Sequence, residues 1–266
     1  MSAPERQGPR VDDAALADRE RATMQAFFAE VLAHDGTVVR PARGVVAAVV
    51  PSVPHRSMPN SVVYEDARVL DDDAVLDAIG ATYAQAGVLA WTVWVRPGDE
   101  WLTGRLAARG HVPDAEPMLM AAPLDEMDLE PRAALDLDPD PDWRTLAIVN
   151  DRAYGTPGDL ERAVGGLRDV EGCTLWIARD GGEPVAAAAI HLPEGDAGVE
   201  LVSVVPEARG RGLSAELLRH ALTDAARTGA TTTSLQATKL GEPVYRRLGY
   251  RALGRYGMWE HRTPAP

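Results

Sequence analysis

The stretch of sequence that decides the fold is Val204-Val205-Pro206-Glu207-Ala208-Arg209-Gly210-Arg211-Gly212-Leu213-Ser214. The residues that lead into it, Gly198–Val205, are predicted to form a strand. The residues that follow predict an amphipathic helix, because apolar side chains recur at the helical period and Gly229 stands just past the last of them. These apolar positions are Leu213, Leu217, Leu218, Ala221, Leu222 and Ala225. A strand therefore passes into a helix through a short turn rich in glycine and arginine.

This turn has the chemistry of a pyrophosphate site. Backbone N–H groups at the start of a helix point outward without partners, and the helix dipole adds partial positive charge there. Gly210 and Gly212 allow close approach to the backbone, and Arg209 and Arg211 add formal charge. The alternative is a plain surface turn with solvated arginines, but the strand–turn–helix context favours phosphate binding. A Rossmann loop is disfavoured because its third glycine is missing, and a Walker loop is excluded since no Gly-Lys-Ser/Thr occurs.

The elements around the turn predict an α/β fold with a mixed sheet, since strands and helices alternate to the end of the chain. The tight turn Asp180-Gly181-Gly182 predicts a hairpin between two of the strands. The other predicted helices are Trp143–Tyr154, Asp159–Arg168 and Glu242–Arg247, and the other predicted strands are Cys173–Arg179, Pro184–His191, Thr231–Ala237 and Tyr250–Glu260.

Two motifs in this half resemble those of the GNAT family of acetyl-CoA-dependent N-acetyltransferases. The sequence Arg209-Gly210-Arg211-Gly212-Leu213-Ser214 matches the family's pyrophosphate motif, Arg/Gln-x-x-Gly-x-Gly/Ala, with serine at the last position. The sequence Tyr245-Arg246-Arg247-Leu248-Gly249-Tyr250 matches its second signature, Tyr-x-x-x-Gly-Tyr/Phe. Thr238 stands where many members carry an asparagine near the coenzyme. The resemblance implies acetyl-CoA as co-substrate, no metal, and a coenzyme site formed by Val204, Val205, Arg209, Gly210, Arg211, Gly212, Leu213, Ser214 and Thr238.

The resemblance also implies a mechanism, in which a primary amine attacks the thioester directly in a ternary complex. The backbone near Val204 would donate to the carbonyl oxygen, and Tyr245 would protonate the departing thiolate. The alternative for Tyr245 is a helix tyrosine packed on the core. Glu200 shares a strand face with Val204 and is the candidate general base, the alternative being a solvated or ion-paired carboxylate. His191 is a weaker candidate base.

The first half of the chain repeats the order of elements. A short predicted helix ends at Gly110 before a strand, as another ends at Gly249, and the predicted strands Leu89–Val95 and Thr231–Ala237 occupy equivalent places. The other elements predicted here are the helices Asp13–Ala33, Asp71–Gln85 and Asp99–Arg109 and the strands Val38–Val50, Ser61–Tyr64 and His111–Ala121. We therefore predict two tandem GNAT-like domains of the α/β (α+β) class, each a mixed, mostly antiparallel sheet flanked by helices.

The chemistry of the second half is missing from the first. Arg68 stands where Arg209 does, but no glycine follows it in the loop, and three aspartates, Asp71, Asp72 and Asp73, would repel a phosphate at the helix start. Leu106 replaces the motif tyrosine. We therefore predict a disordered leader over residues 1–12, a non-catalytic domain over 13–128 that shapes the acceptor cleft or mediates homodimerisation, and a catalytic domain over 129–266.

Charge and composition narrow the function classes. The chain of 266 residues has a net charge of −13, and residues 1–130 hold 11 basic and 21 acidic residues. This balance argues against a nucleic-acid partner and suits either a cationic amine or solubility alone. A single cysteine excludes an intramolecular disulfide, and no apolar run is long enough to cross a membrane, so the expected location is cytoplasmic. The rival to an enzyme is a CoA-binding sensor or pseudoenzyme that regulates a partner.

Overall fold

A computed structural model describes residues 11–34 and 36–263. The predicted leader lies outside the described residues except for Val11 and Asp12, and Asp12 caps the first helix by accepting a hydrogen bond from the Ala15 amide at 2.7 Å. The chain forms two mixed sheets flanked by helices, which confirms the predicted fold class. Within the described residues, no helix is long and apolar enough to span a membrane.

Within residues 11–34 and 36–129, the first half of the chain supplies three α-helices and six strands. A five-residue π-helical turn, Phe28–Leu32, continues the first helix, and a 3₁₀ turn, Ala67–Asp71, precedes the second. The helices are α1 (Asp13–Phe27), α2 (Asp73–Gln85) and α3 (Leu102–Ala108), and the strands are β1 (Thr37–Val39), β2 (Val45–Val49), β3 (Ser61–Tyr64), β4 (Ala90–Val95), β5 (Val112–Ala115) and β6 (Met118–Pro123).

The described residues of the second half, up to residue 263, form four α-helices and seven strands. Its helices are α4 (Trp143–Tyr154), α5 (Asp159–Val164), α6 (Leu213–Arg227) and α7 (Glu242–Leu248). Its strands are β7 (Asp136–Leu137), β8 (Cys173–Asp180), β9 (Glu183–His191), β10 (Asp196–Val204), β11 (Thr232–Ala237), β12 (Arg251–Arg255) and β13 (Gly257–Arg262). The apolar stripe predicted after Gly212 is buried along α6, which packs on β8, β9 and β10.

The two sheets share one strand order, which supports the predicted repeat. The first sheet runs β1-β2-β3-β4-β13-β5, and the second runs β7-β8-β9-β10-β11-β6-β12. Each contains one parallel pair of neighbours at the same place, β3 with β4 and β10 with β11. The strands predicted to be equivalent, β4 and β11, match in this alignment of the sheets. Gly110 and Gly249, at the ends of α3 and α7, both adopt positive φ, at 85° and 110°.

The halves exchange one strand each. β6 of the first half lies between β11 and β12 of the second sheet, and β13 at the end of the second half lies between β4 and β5 of the first sheet. Each sheet thus contains backbone from both sides of residue 129. The division of the chain at that residue stays a prediction, but neither sheet is built from one side of it alone.

This exchange corrects two predicted strands, His111–Ala121 and Tyr250–Glu260. Each is two strands that belong to different sheets. The first breaks at Pro117, which has no N–H to donate to a ladder. The second breaks at Tyr256, whose amide donates to the Pro117 carbonyl at 3.0 Å, just after Gly254 at φ 144°. This hydrogen bond therefore joins the two places at which the chain passes from one sheet to the other.

Helix α1 belongs to the first half in sequence but packs on the second sheet, against β10, β11 and β6. The close approach depends on Gly198, because a Cβ there would lie 2.3 Å from the Thr23 methyl carbon. The Thr23 hydroxyl donates to Asp196 at 2.9 Å, and that buried carboxylate also accepts from Thr232 and Ser234. A buried polar network therefore fixes α1 over the start of β10.

Candidate active site

The strands β10 and β11 diverge at the centre of the second sheet. They pair in parallel from Asp196 to Gly198 and then separate. Beyond this point β10 has an irregularity between Glu200 and Ser203 in its pairing with β9, and Leu201 adopts a φ of 54°, a strained value for a leucine. The Leu201 carbonyl accepts from the Asn150 side chain at 3.3 Å, so α4 holds the bulge in place. The divergence opens the sheet.

A cleft of about 1080 Å³ lies where the strands diverge. Three of the predicted site residues line it: Glu200 on β10, Thr238 after β11, and Tyr245 on α7. Residues of the first half also line the cleft, among them Trp94 and Asp114. The structure therefore brings the two predicted catalytic side chains to one cavity and adds a wall that sequence motifs did not indicate.

The predicted phosphate loop is an open turn beside this cleft. Gly210 and Gly212 both adopt left-handed backbone, at φ 76° and 78°, and a Cβ at either position would meet nothing within 4 Å among the described residues. Helix α6 begins directly after Gly212, and within the described part of the chain no side chain caps its first amides. The loop therefore presents free backbone N–H groups to empty space, as a pyrophosphate requires.

The two arginines of the loop are oriented differently. The Arg209 guanidinium turns back to the scaffold and donates to the carbonyls of Val204 at 3.2 Å and Ala153 at 2.5 Å. Arg211 is half-exposed and pairs with Asp180 at 2.6 Å. The Val205 amide donates to the Val185 carbonyl at 3.0 Å, and its side chain is buried, so in this structure Val205 holds the loop to the sheet.

A second groove, of about 380 Å³, continues from the loop between α6 and α7. Its lining includes Gly212 and four arginines, Arg132, Arg211, Arg219 and Arg247. Glu216 anchors the segment that closes this groove, because its carboxylate accepts from the Arg132 amide at 2.6 Å and from the Ala133 amide at 3.0 Å. Three of these arginines have carboxylate partners, Asp128, Asp180 and Glu216, and Arg247 is the one that forms no ion pair with the described residues.

Glu200 is buried in the cleft wall rather than solvated at a strand surface. Burial raises the pKa of its carboxyl well above the ordinary value, and the nearby carboxylates of Glu20 and Asp196 raise it further. A carboxyl group with a raised pKa is a stronger base once it has lost its proton. The Glu200 side chain therefore has the environment of an acid–base group.

Glu20 does not line the cleft, but it is a buried neighbour of Glu200 that motif analysis missed. It is fully buried on α1, where it accepts from the Gln236 side chain at 2.6 Å and from the Tyr256 hydroxyl at 2.7 Å. Burial raises the pKa of Glu20 to about 7, against the lowering effect of these hydrogen bonds. Its spacing of four residues from both Leu16 and Met24 puts it on the apolar face of the predicted helix, and that was the available signal.

The buried Glu20 carboxyl predicts a pH-dependent stability difference for Glu20→Gln. A carboxyl pKa near 7 in the folded state, above the usual 4.5, stabilises the native protein fully below about pH 4.5, and this stabilisation is lost as the pH rises through 7. The variant lacks this titration. We expect its free energy of unfolding, relative to the native protein, to rise by about 2 to 3 kcal/mol between pH 5 and pH 8.

Urea unfolding at the two pH values measures this difference. The control is Asp18→Asn, which removes an exposed carboxylate from the same helix and so measures the effect of losing one negative charge at the surface of α1. A Glu20→Gln difference that stayed constant from pH 5 to pH 8 would contradict the raised pKa.

Tyr245 is half-buried in the cleft wall and its ring is closely supported. A Cβ at position 241 would lie 2.9 Å from the ring, so Gly241 lets the tyrosine lie flat on the turn before α7. The Tyr250 ring meets it edge-on at 5.8 Å. Burial raises the Tyr245 pKa, as do the nearby Tyr154 and Glu200. The hydroxyl therefore keeps its proton at neutral pH, as an acid must.

A second hydroxyl, that of Tyr154, also reaches the cleft and was missed by the motifs. Tyr154 ends α4, is exposed, and donates to the Val202 carbonyl at 3.3 Å. Thr238 is exposed in the cleft, and its hydroxyl accepts from the Gly241 amide at 3.2 Å. It is thus placed near the turn that supports Tyr245.

The weaker candidate base, His191, does not line the cleft. Its ring is buried and its Nε2 lies 3.0 Å from a Glu30 carboxylate oxygen. This contact joins the second sheet to the π-helical turn that continues α1. Burial lowers the His191 pKa, while Glu30 opposes this. Its contacts are those of a structural histidine.

In the first half, the position that corresponds to the phosphate loop is filled by ion pairs. The Asp73 carboxylate, at the start of α2, lies 2.6 Å from Arg105 and 3.0 Å from Arg109. Arg105 also pairs with Asp71 at 3.2 Å. Arg105 lies on α3 and Arg109 follows directly after it. Asp72 caps α2 by accepting from the Ala74 amide at 2.9 Å. The helix start is therefore already occupied by carboxylates, as its sequence predicted.

Comparisons with known proteins agree with this geometry. The family model described as acetyltransferase (GNAT) domain matches residues 171–252, which include the phosphate loop and Tyr245. No curated protein matches the chain significantly.

Solved structures match over both halves. A GCN5-related N-acetyltransferase from Kribbella flavida is 18% identical, with a TM-score of 0.67 over 93% of this chain and 96% of that one. Another, from Sphaerobacter thermophilus, is 22% identical, with a TM-score of 0.58 over 84% and 78%. A tandem GNAT protein from the clavulanic acid biosynthesis pathway is 13% identical, with a TM-score of 0.53 over 94% and 97%. Residues 171–252 are therefore a GNAT acetyltransferase domain, and the chain as a whole has the fold of GCN5-related N-acetyltransferases.

Proposed function

We propose that the protein transfers the acetyl group of acetyl-CoA to a primary amine by direct attack in a ternary complex. The observation that carries the proposal is that one strand leads to both parts of the site. β10 places Glu200 in the lining of the cleft, which also includes Tyr245, and the chain continues from the end of β10 into the open glycine turn at the start of α6. A phosphate anchor and an acid–base pair would thus be positioned by one stretch of backbone.

Each part of the coenzyme would meet suitable groups of the chain. Backbone amides from Gly210 to Ser214 would bind the pyrophosphate, and the open space over Gly210 and Gly212 fits it. Arg211 and Arg247 in the neighbouring groove would offset the charge of the phosphates, whereas Arg219 is buried and paired with Glu216. The pantetheine arm would then run through the gap between the strands, past Val204 and Thr238, and bring the thioester to the cleft.

The reaction then needs three contributions from the chain. Glu200, in its unprotonated form, would take a proton from the attacking ammonium, directly or through water. A backbone N–H of the irregular part of β10 would donate to the carbonyl oxygen as negative charge develops there. As the new N–C bond forms and the C–S bond breaks, Tyr245 would give its proton to the sulfur of the departing CoA. The second proton lost by the nitrogen would return through water to the tyrosinate, which leaves the neutral amide and a neutral Tyr245.

Release of CoA thiol in the presence of amines tests this function. The purified full-length protein is incubated with acetyl-CoA and a panel of primary amines, and free thiol is measured. We expect amine-dependent thiol release together with formation of the N-acetyl product. Binding of acetyl-CoA without thiol release from any amine would favour a CoA-binding regulator, and no binding would contradict both.

A further inference from the structure

Both halves of the chain line the cleft. The second half contributes Glu200 and Tyr245. The first half contributes a wall of three large apolar side chains, Phe28, Met58 and Trp94, of which Phe28 and Trp94 keep 3% and 7% of their surface exposed. Neither the phosphate loop nor the proposed acid–base pair uses any of these three side chains. The wall therefore faces the space that remains for the acceptor.

The aromatic side chains of this wall are held by contacts within the protein. The Phe28 and Trp94 ring centroids lie 6.0 Å apart, and the Trp94 indole N–H donates to the Ser61 hydroxyl at 2.9 Å. The Tyr256 ring meets Trp94 edge-on at 5.6 Å. Met258, on the exchanged strand β13, extends the same surface. Because these aromatic rings are already fixed, an apolar ligand would lose little entropy in ordering them.

The first-half side of the rim carries two exposed carboxylates, Asp114 and Glu116, and neither forms an ion pair with any of the described residues. Arg56 and Arg255 each have a carboxylate partner, at 3.4 and 3.1 Å, whereas Lys239, the third cation of the lining, is exposed and has no ion pair among the described residues. Five carboxyl groups line the cleft against these three cations: Asp114, Glu116, Asp151, Asp159 and Glu200. The cleft should therefore attract a cation more than an anion.

We propose that the acceptor is an amine carried on an aromatic or bulky aliphatic body that has no carboxylate. The inference rests on the acetyl transfer proposed above and names its substrate class. The apolar body would pack on Phe28, Met58 and Trp94, with the nitrogen toward Glu200. An α-amino acid fits poorly because its carboxylate meets the acidic rim. An aminosugar fits poorly because its hydroxyls would lose water against an apolar wall.

Three amines test this class in the thiol-release assay: 2-phenylethylamine, phenylalanine and glucosamine. The first two differ by one carboxylate, and the third replaces the apolar body with a polar one. We expect kcat/KM for 2-phenylethylamine to exceed the other two values by at least about tenfold. Calorimetry with acetyl-CoA alone, on the same preparation, reports separately on the coenzyme site.

Variants of the wall and the rim connect the preference to these residues. Met58→Gln changes a half-buried side chain to a polar one of similar shape, so folding should survive. We expect it to raise KM for 2-phenylethylamine about fivefold while leaving acetyl-CoA affinity unchanged. Replacing both rim carboxylates, Asp114→Asn with Glu116→Gln, should reduce the discrimination against phenylalanine about threefold.

The results of these assays test the acceptor class and the acetyl transfer separately. Glucosamine or phenylalanine acetylated as well as 2-phenylethylamine would overturn the acceptor class and leave acetyl transfer standing. Acetyl-CoA binding with turnover of none of the three amines would also overturn the class. Failure to bind acetyl-CoA would instead overturn the proposed function itself.

Discussion

Replacing Tyr245 with phenylalanine should lower kcat about 100-fold without weakening acetyl-CoA binding. The change removes one hydroxyl and keeps the ring, which lies on Gly241 and meets Tyr250 edge-on. The hydroxyl keeps its proton at neutral pH because burial raises its pKa. Without it, the departing thiolate would have to take its proton from water. Steady-state kinetics on the best amine, with calorimetry for the coenzyme, measures both quantities.

The matched control is Tyr154→Phe, which removes the other tyrosine hydroxyl at the cleft. That hydroxyl donates to the Val202 carbonyl, so we assign it to holding the bulge of β10 and expect a loss of kcat below about tenfold. The reverse pattern, with near-normal kcat in Tyr245→Phe and a large loss in Tyr154→Phe, would transfer the acid role to Tyr154. Near-normal kcat in both would leave the proposed mechanism without its acid.

Replacing Gly212 with aspartate should lower acetyl-CoA affinity by at least about tenfold, or 1.4 kcal/mol. Gly212 immediately precedes α6, at φ 78°, with empty space where a side chain would be. An aspartate side chain would occupy the space proposed for the pyrophosphate. Its negative charge would also repel the pyrophosphate, by about 1 kcal/mol even at moderate distance in a water-like dielectric. Calorimetric titration of the full-length variant measures the affinity.

Two controls separate charge from backbone strain. Gly212→Asn has nearly the same shape as aspartate, tolerates left-handed backbone and adds no charge, so we expect a smaller loss of affinity. Gly87→Asp puts the same residue at φ 70° in open space at the end of α2, far from the loop in sequence, and should leave affinity unchanged. Unchanged affinity in a folded Gly212→Asp protein would place the coenzyme elsewhere.

Local sequence patterns predicted the parts of the site that are themselves local. The turn from Arg209 to Ser214 requires left-handed glycines and an uncapped helix start, and both are properties of a short segment. The α6 stripe and the match of Trp143–Tyr154 with α4 also follow from helical periodicity. The acidic start of α2 predicted a position unsuited to phosphate for the same reason, since neighbouring residues decide it.

Features made by distant parts of the chain could not be predicted in this way. The exchange of β6 and β13 depends on which sheet offers each strand a partner, and strand periodicity is the same in either sheet. Glu20 lies near Glu200 because α1 packs closely on β10 at Gly198, which is 178 positions away from Glu20 along the chain. The apolar wall around Trp94 faces Glu200 only after the two sheets have packed together.

The most direct test of the central claim is the stoichiometry of acetyl-CoA binding to the full-length protein. The intact chain is needed because the second sheet includes β6 from the first half. Calorimetric titration is predicted to give one site per chain, weakened at least about tenfold by Gly212→Asp, because the corresponding position at α2 is filled by Asp71 and Asp73 with their arginine partners. Two equivalent sites per chain, or a single site that Gly212→Asp leaves intact, would contradict the assignment of the coenzyme to the second half.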